Sequence, residues 1–153
     1  MVSKLRILVD ADACPVKEEI YKVASRYDTR VGVVSNSYLR VPDDPLVERI
    51  LVGSEPDAAD DFIAEHANPR SVVVTADIPL ADRCIKVGAT VIAPNGKLFT
   101  SDSIGLAMAT RAILADLRVA GDVIGGPPPF TKSDRSRFLS ALDAALVRLM
   151  RQD

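Results

Sequence analysis

At 153 residues, 48% hydrophobic and 26% charged, with a formal net charge of −2, the chain fits one folded domain and excludes large-scale disorder. No run approaches roughly 18 uninterrupted apolar residues, which excludes a membrane-spanning helix, and the start, Met1-Val2-Ser3-Lys4-Leu5-Arg6, lacks the apolar core of a signal peptide. Two cysteines, Cys14 and Cys84, give neither a disulfide framework nor a zinc set, so a cytoplasmic protein is expected.

The first apolar run, Leu5 to Val9, reads as a strand and ends at Asp10. From Pro15 to Tyr27 apolar residues fall at Val16, Ile20, Val23 and Ala24, the spacing of a helix with one buried face. Pro15 suits its first turn, and Glu18 and Glu19 suit the positive end of its dipole. Val31 to Ser35 reads as a second buried strand. Residues 36–46 carry turn chemistry, and Val47 to Val52 reads as a strand whose wet side is marked by Glu48 and Arg49. A helix is expected over Asp57 to Ala67, stopped by Asn68-Pro69. Ser71 to Thr75, uncharged and rich in β-branched residues, is the strongest strand. Ile78 to Val87 is a short helix with Gly88 at its end, and Thr90 to Ala93 is another strand.

After Pro94 the texture changes. Asn95-Gly96 is a hairpin-type turn. Ser103 to Val119 reads as helix, and Gly125-Gly126-Pro127-Pro128-Pro129-Phe130 as a stiff loop. A last amphipathic helix, Ser133 to Met150, carries Phe138, Leu139, Leu142, Leu146 and Leu149 on one side. Helices alternate with strands that are continuous apolar runs, which predicts a mostly parallel sheet covered on both faces. The expected architecture is an α/β three-layer sandwich, Rossmann-like, in a single domain over residues 1–153, with residues 101–153 a C-terminal helical extension packed on the sheet. Residues 1–110 carry net −4 and residues 111–153 net +2, an acidic body with a mildly basic tail.

Binding sites in an open parallel sheet form beyond the carboxyl ends of the strands, and there the sequence concentrates acid. The first strand ends in Asp10-Ala11-Asp12 and the strongest strand in Thr75-Ala76-Asp77; the helix entering that strand begins near Asp57 and carries Asp60 and Asp61. In a right-handed strand–helix–strand unit the helix start lies at the same rim. Three segments therefore deliver carboxylates to one place. Such groups repel and resist ionising beside one another. An oxygen-seeking cation, Mg²⁺ or Mn²⁺, relieves the repulsion. Phosphoryl transfer or phosphodiester hydrolysis is the chemistry that most often uses such a site.

Taken singly, Asp12 and Asp77 also read as helix caps, and Asp57, Asp60 and Asp61 as acids at a helix start. Stepping about 100° per residue from Ala59 puts Phe62, Ile63 and His66 on the buried face, Asp60 at its border, and Asp57 and Asp61 toward solvent. Asp60 is therefore the helix acid expected to face the site. Cys14 reads as a small buried hydrophobe, and His66, the only histidine, as a helix-end packing residue.

The stretches Asp57-Ala-Ala-Asp-Asp-Phe-Ile-Ala-Glu-His-Ala67, Ser71-Val-Val-Val-Thr-Ala-Asp-Ile-Pro-Leu-Ala81 and Gly88-Ala-Thr-Val-Ile92 resemble PIN-type nuclease domains. More closely, the chain resembles the bacterial YaiI/YqxD family of PIN-like proteins. Asp10-Ala-Asp-Ala-Cys-Pro-Val16, Asn36 with Leu39-Arg-Val-Pro42, Thr75-Ala-Asp-Ile-Pro-Leu-Ala81, Pro94-Asn-Gly96, and Gly125-Gly-Pro127 with Phe130 and Asp134-Arg135 carry that match. The wider PIN resemblance implies a Mg²⁺- or Mn²⁺-dependent ribonuclease, with Asp10, one of Asp60 or Asp61, and Asp77 on the acidic positions. Many PIN sequences carry a fourth acid two or three residues after the Thr-x-Asp. Here Pro79 and Leu80 stand there, and Asp82 comes later.

The first functional expectation is a metal-dependent phosphodiesterase acting on RNA or a nucleotide. Asp10 and Asp77 would be metal ligands, Asp60 a ligand directly or through water, and Asp12 an accessory ligand or base. Asn36, Arg118, Lys132 and Arg135 are the candidate substrate contacts. An alternative of another class is a non-catalytic RNA- or nucleotide-binding module that kept the fold. A phosphatase of haloacid-dehalogenase type is a further alternative, since Val9-Asp10-Ala-Asp12 resembles its nucleophile motif. That chemistry needs a lysine between its motifs, and residues 36–76 contain none.

Overall fold

The computed structural model describes residues 4–12, 14–119 and 129–152; the glycine–proline stretch Gly125 to Pro128 lies outside them. The chain runs β1 (Arg6–Asp10), α1 (Lys17–Arg26), β2 (Arg30–Ser35), β3 (Val47–Leu51), α2 (Ala58–His66), β4 (Ser71–Val74), α3 (Ile78–Lys86), β5 (Thr90–Ile92), β6 (Leu98–Phe99), α4 (Ser101–Val119) and α5 (Lys132–Met150). These strands form one sheet in the order β3-β2-β1-β4-β5-β6. Every pair is parallel except β5–β6. The fold class is thus the mixed, mostly parallel α/β sandwich that the alternating pattern predicts.

Successive residues of β1 feed two cores. Ile7 and Val9 join Val72, Val74 and Ile92 beneath α1 and α5, where Ile20, Phe138, Leu142 and Leu146 are fully buried. Leu8 joins Val34, Val73 and Val91 on the opposite face with Ile63, Leu80 and Cys84 from α2 and α3. Two covered faces require apolar residues at successive positions, which is why the central strands read as unbroken apolar runs. The edge strand β3 departs from this, with Glu48 and Arg49 exposed. Residues 36–46 make the β2–β3 crossover without a helix.

Two features fix the ends of the second half. Gly96 turns the chain back into β6 at φ +89°, and a Cβ there would sit 2.6 Å from the carbonyl carbon of Arg137. Glycine therefore serves both the left-handed conformation and the close approach of α5. At the start of α5, Thr131 Oγ1 accepts from the Asp134 N–H and the Asp134 carboxylate accepts from the Thr131 N–H, a reciprocal cap. α4 leans on α3, with Ile104 buried. Farther along α4, Leu106 is 71% and Ile113 is 60% exposed. No described helix is long and apolar enough to cross a membrane.

Because β1 pairs with both β2 and β4, the winding of the sheet reverses between β1 and β4. The connections after these two strands leave in opposite directions and open a crevice at their carboxyl ends.

Candidate functional site

Asp10 is the last residue of β1, and Thr75 directly follows β4. Thr75 is buried; its Oγ1 donates to Asp10 Oδ2 at 2.8 Å and accepts from the Asp77 N–H at 3.0 Å. One hydroxyl thus ties the two strand ends across the crevice. Asp77 caps α3, its Oδ1 accepting from the Leu80 N–H at 3.0 Å. Asp12 caps nothing: the N-cap of α1 is Val16, with no side-chain bond. Its Oδ1 instead lies 3.2 Å from Ser35 Oγ at the end of β2.

Asp10, Asp12, Asp60 and Asp77 line one cleft of about 300 Å³, together with Cys14 and Thr75. Asp57 and Asp61 stand outside its lining, and Asp61 pairs with Arg83 at 2.9 Å. The helix phase read from Ala59 thus matches the placing of Asp60 and Asp61 on α2 and of Asp57 at its N-cap, but not that of His66, which it put on the buried face and which is exposed where the helix ends. Burial and the charges of Asp77, Asp10 and Asp57 push the Asp60 carboxyl up to about 6, against the pull of Arg83. Burial also raises Asp10; the Thr75 hydrogen bond opposes this, and Asp77 and Asp12 add repulsion. The Cys14 thiol is raised chiefly by burial, away from thiolate reactivity.

Among the described residues, no three acids, thiols or imidazoles already surround one point. The fit to Mg²⁺ or Mn²⁺ lies in the donor chemistry. Mg²⁺ is usually held by one or two carboxylates, with water and substrate oxygens completing its shell. Among the described residues, the Asp10 side chain bonds only to Thr75 and Asp60 makes no hydrogen bond or ion pair, so both can turn toward an ion. Asp77 has one oxygen committed to α3. Among the described residues no lysine lines the cleft, which counts against the dehalogenase-type phosphatase and its phosphoryl-binding cation.

The expected substrate contacts do not gather here. Asn36, the exposed residue after β2, and Lys132, the exposed first residue of α5, lie outside the cleft lining. The side chain of Arg118 lies outside the described residues. Arg135 braces two helices: it donates to the Pro15 carbonyl at 2.6 Å and to Glu19 at 3.1 Å, and packs over the Phe130 ring. Arg135→Ala should therefore cost about 1 kcal/mol of stability, since the pair is half exposed. It should leave the salt slope of RNA binding unchanged; a slope flattened by about one would make Arg135 a phosphate contact instead.

His66 stacks on Phe62 at 3.9 Å between ring centroids and sits far from the acids in role, its Nδ1 2.8 Å from the Phe62 carbonyl. Sequence reasoning missed Ser35 as the partner of Asp12, although it closes a strand at the rim.

A family model described as "Uncharacterized BCR, YaiI/YqxD family" matches residues 8–148. The chain is similar to a UPF0178 protein of Sphingopyxis alaskensis, 69% identical over 95% of each chain. It is 61% identical to the UPF0178 protein bll3966 of Bradyrhizobium diazoefficiens, over 96% of this chain and 88% of that one. A UPF0178 protein of Nitrobacter winogradskyi is 57% identical over 98% of this chain and 96% of its own. No solved structure matches the chain significantly.

Proposed function

We propose, for a chain that belongs to the YaiI/YqxD family, a metal-dependent phosphodiesterase acting on RNA or nucleotides. The observation that carries this reading is the convergence of four aspartates from three segments on one cleft at the switch point of the sheet. Asp10 and Asp60 would hold Mg²⁺ or Mn²⁺, with the second oxygen of Asp77 completing the protein's share. When bound, the ion would supply charge stabilisation at the phosphoryl oxygens and a more acidic water. Thr75 fixes the orientation of Asp10 through its 2.8 Å bond. Asp12, exposed at the cleft and only 3.2 Å from a Ser35 hydroxyl that also donates to the Ser37 carbonyl at 2.7 Å, would accept a proton from the attacking water.

Asp60, with its carboxyl near 6, competes for protons below that pH, so ion binding should strengthen as pH rises through it. Excess Mn²⁺ should raise the melting temperature of the folded chain, and EDTA should reverse the rise. A labelled oligoribonucleotide should be cut in Mn²⁺ and spared in EDTA. If Mn²⁺ leaves the melting temperature unchanged while Asp10→Asn alone stabilises the chain, the acids are a bare cluster and the reading fails. The cap duty of Asp77 and the absence of a gathered triad favour a second reading, an RNA-binding module without turnover. It expects RNA binding in EDTA and no cleavage under any divalent ion.

A further inference from the structure

A second cleft lies between the first turns of α1 and the β2–β3 loop. It measures about 300 Å³ and is lined by Lys17, Glu18 and Tyr21 of α1 and by Arg40, Val41 and Pro42 of the β2–β3 loop. The two clefts share a wall. Cys14 lines the acidic cleft, and its carbonyl accepts from Lys17 Nζ at 3.0 Å. One of the three ammonium hydrogens of Lys17 is spent on that bond, leaving two for a ligand. Arg40 is exposed and makes no hydrogen bond or ion pair among the described residues.

The third donor is Tyr21. Its hydroxyl is buried and finds no hydrogen-bond partner among the described residues. Burial and the charge of Glu18 raise its pKa, so it keeps its proton and remains a donor. A buried donor without an acceptor costs stability, and its cost is relieved when a ligand oxygen supplies the acceptor. Tyr21 lines the same cleft as Arg40, Val41 and Pro42, which belong to a loop rather than to a helix or strand. Lys17, Arg40 and Tyr21 therefore offer two full positive charges and a neutral donor to one occupant, opposed by the carboxylate of Glu18.

We infer that the cleft between Lys17, Tyr21 and Arg40 binds a non-reacting phosphate group of the substrate whose reacting phosphate faces Asp10 and Asp60. This rests on the phosphodiesterase reading. It assigns the two clefts opposite tasks: acids for the ion, and cations for a non-reacting phosphate that sets the register of the strand. An arginine can grip such a group through two N–H donors, and a lysine acts as a point charge beside it.

The test is fluorescence anisotropy of a short labelled oligouridylate on the full chain in EDTA, so that no ion contributes. The parent chain should bind. Arg40→Ala should weaken binding about tenfold, or about 1.4 kcal/mol, and reduce the slope of log affinity against log salt by about 0.7, the value for one lost contact to a single strand. Glu18→Gln should tighten binding. Tyr21→Phe should weaken binding while leaving the melting temperature level or higher. A hydroxyl that merely lacks a partner would instead give a more stable protein with unaltered affinity.

Competition by uridine monophosphate would assign the cleft to a terminal phosphate, and competition by the oligonucleotide alone to the backbone; both uphold a phosphate cleft. An Arg40→Ala chain with the affinity and slope of the parent overturns it, as does a parent chain that does not bind. The rise in melting temperature with Mn²⁺, read on the same variants, separates this from the metal reading. It should persist in Arg40→Ala and Tyr21→Phe. Loss of the Mn²⁺ response in the parent would sink the metal reading and leave the cation cleft standing.

Discussion

Asp60→Asn should weaken Mn²⁺ binding at least tenfold, about 1.4 kcal/mol, while Asp57→Asn and Asp61→Asn stay close to the parent chain. The three acids lie within five residues of one another on or beside a single helix, yet only Asp60 lines the cleft. Asp61 is turned toward Arg83, and Asp57 is exposed at the helix start without a capping bond. The same substitution should change the pH dependence of stability in the metal-free chain. Burial and neighbouring carboxylates raise the folded carboxyl to about 6, above the ordinary aspartate value of about 3.9. Between those values the folded state holds the proton and the unfolded state has released it. Stability should therefore be greatest below the unfolded pKa and fall as pH rises through about 6.

Asp60→Asn should flatten that fall, measured by urea unfolding in EDTA across the window. Mn²⁺ should reverse the ranking, because the ion competes with the proton and favours the ionised cleft. If Asp61→Asn weakens the metal and Asp60→Asn does not, the cleft geometry described for α2 is wrong by one residue. If none of the three matters, any ion is held by the strand-end acids alone.

The site was legible in the sequence to the extent that local pattern and sheet winding determine it. Asp10 and Asp77 follow apolar strands, and strand ends in a parallel sheet share a rim. Asp60 follows from counting around one helix, because Ala59 and Ile63 mark its buried face, although His66, counted on that face, is exposed where the helix ends. Asp12 was harder. Its spacing from Pro15 suits a cap, but α1 begins only at Lys17, and the carboxylate turns to Ser35, 23 residues away. Arg135 shows the same limit. Its charge and its place in a basic tail suggest a phosphate contact, whereas its partners lie 116 and 120 residues earlier. The cation cleft joins a helix start to a loop, and no periodicity announces such a pairing. β6 is two residues long, too short for an alternating pattern, and only Asn95-Gly96 marks it.

Phe138→Ala should destabilise the chain by about 3–5 kcal/mol, which for a domain of this size lowers the melting temperature by roughly 6–20 °C. Phe138 is fully buried and belongs to the core formed by Ile7, Val9, Val72, Val74 and Ile92. The turn at Gly96 presses on the backbone of Arg137 and Phe138, so the space left by the ring cannot close by a simple inward shift of α5. Leu106→Ala and Ile113→Ala on α4 are the internal control. Both residues are mostly exposed, and each change should stay within about 0.5 kcal/mol.

The contrast separates the two C-terminal helices in physical terms: α5 completes a core, and α4 past Ile104 does not. It also reaches the site. α5 carries Arg135, which holds the Pro15 carbonyl on the turn between Asp12 and α1. A chain with Phe138→Ala that still folds at low temperature should therefore bind Mn²⁺ more weakly than the parent, although no atom of Phe138 lines the acidic cleft. Unchanged Mn²⁺ affinity in that folded variant would show that the strand ends and α2 hold the acids in place without help from α5. A loss of stability below about 1 kcal/mol would show that the ring is not seated in a close-packed core at all.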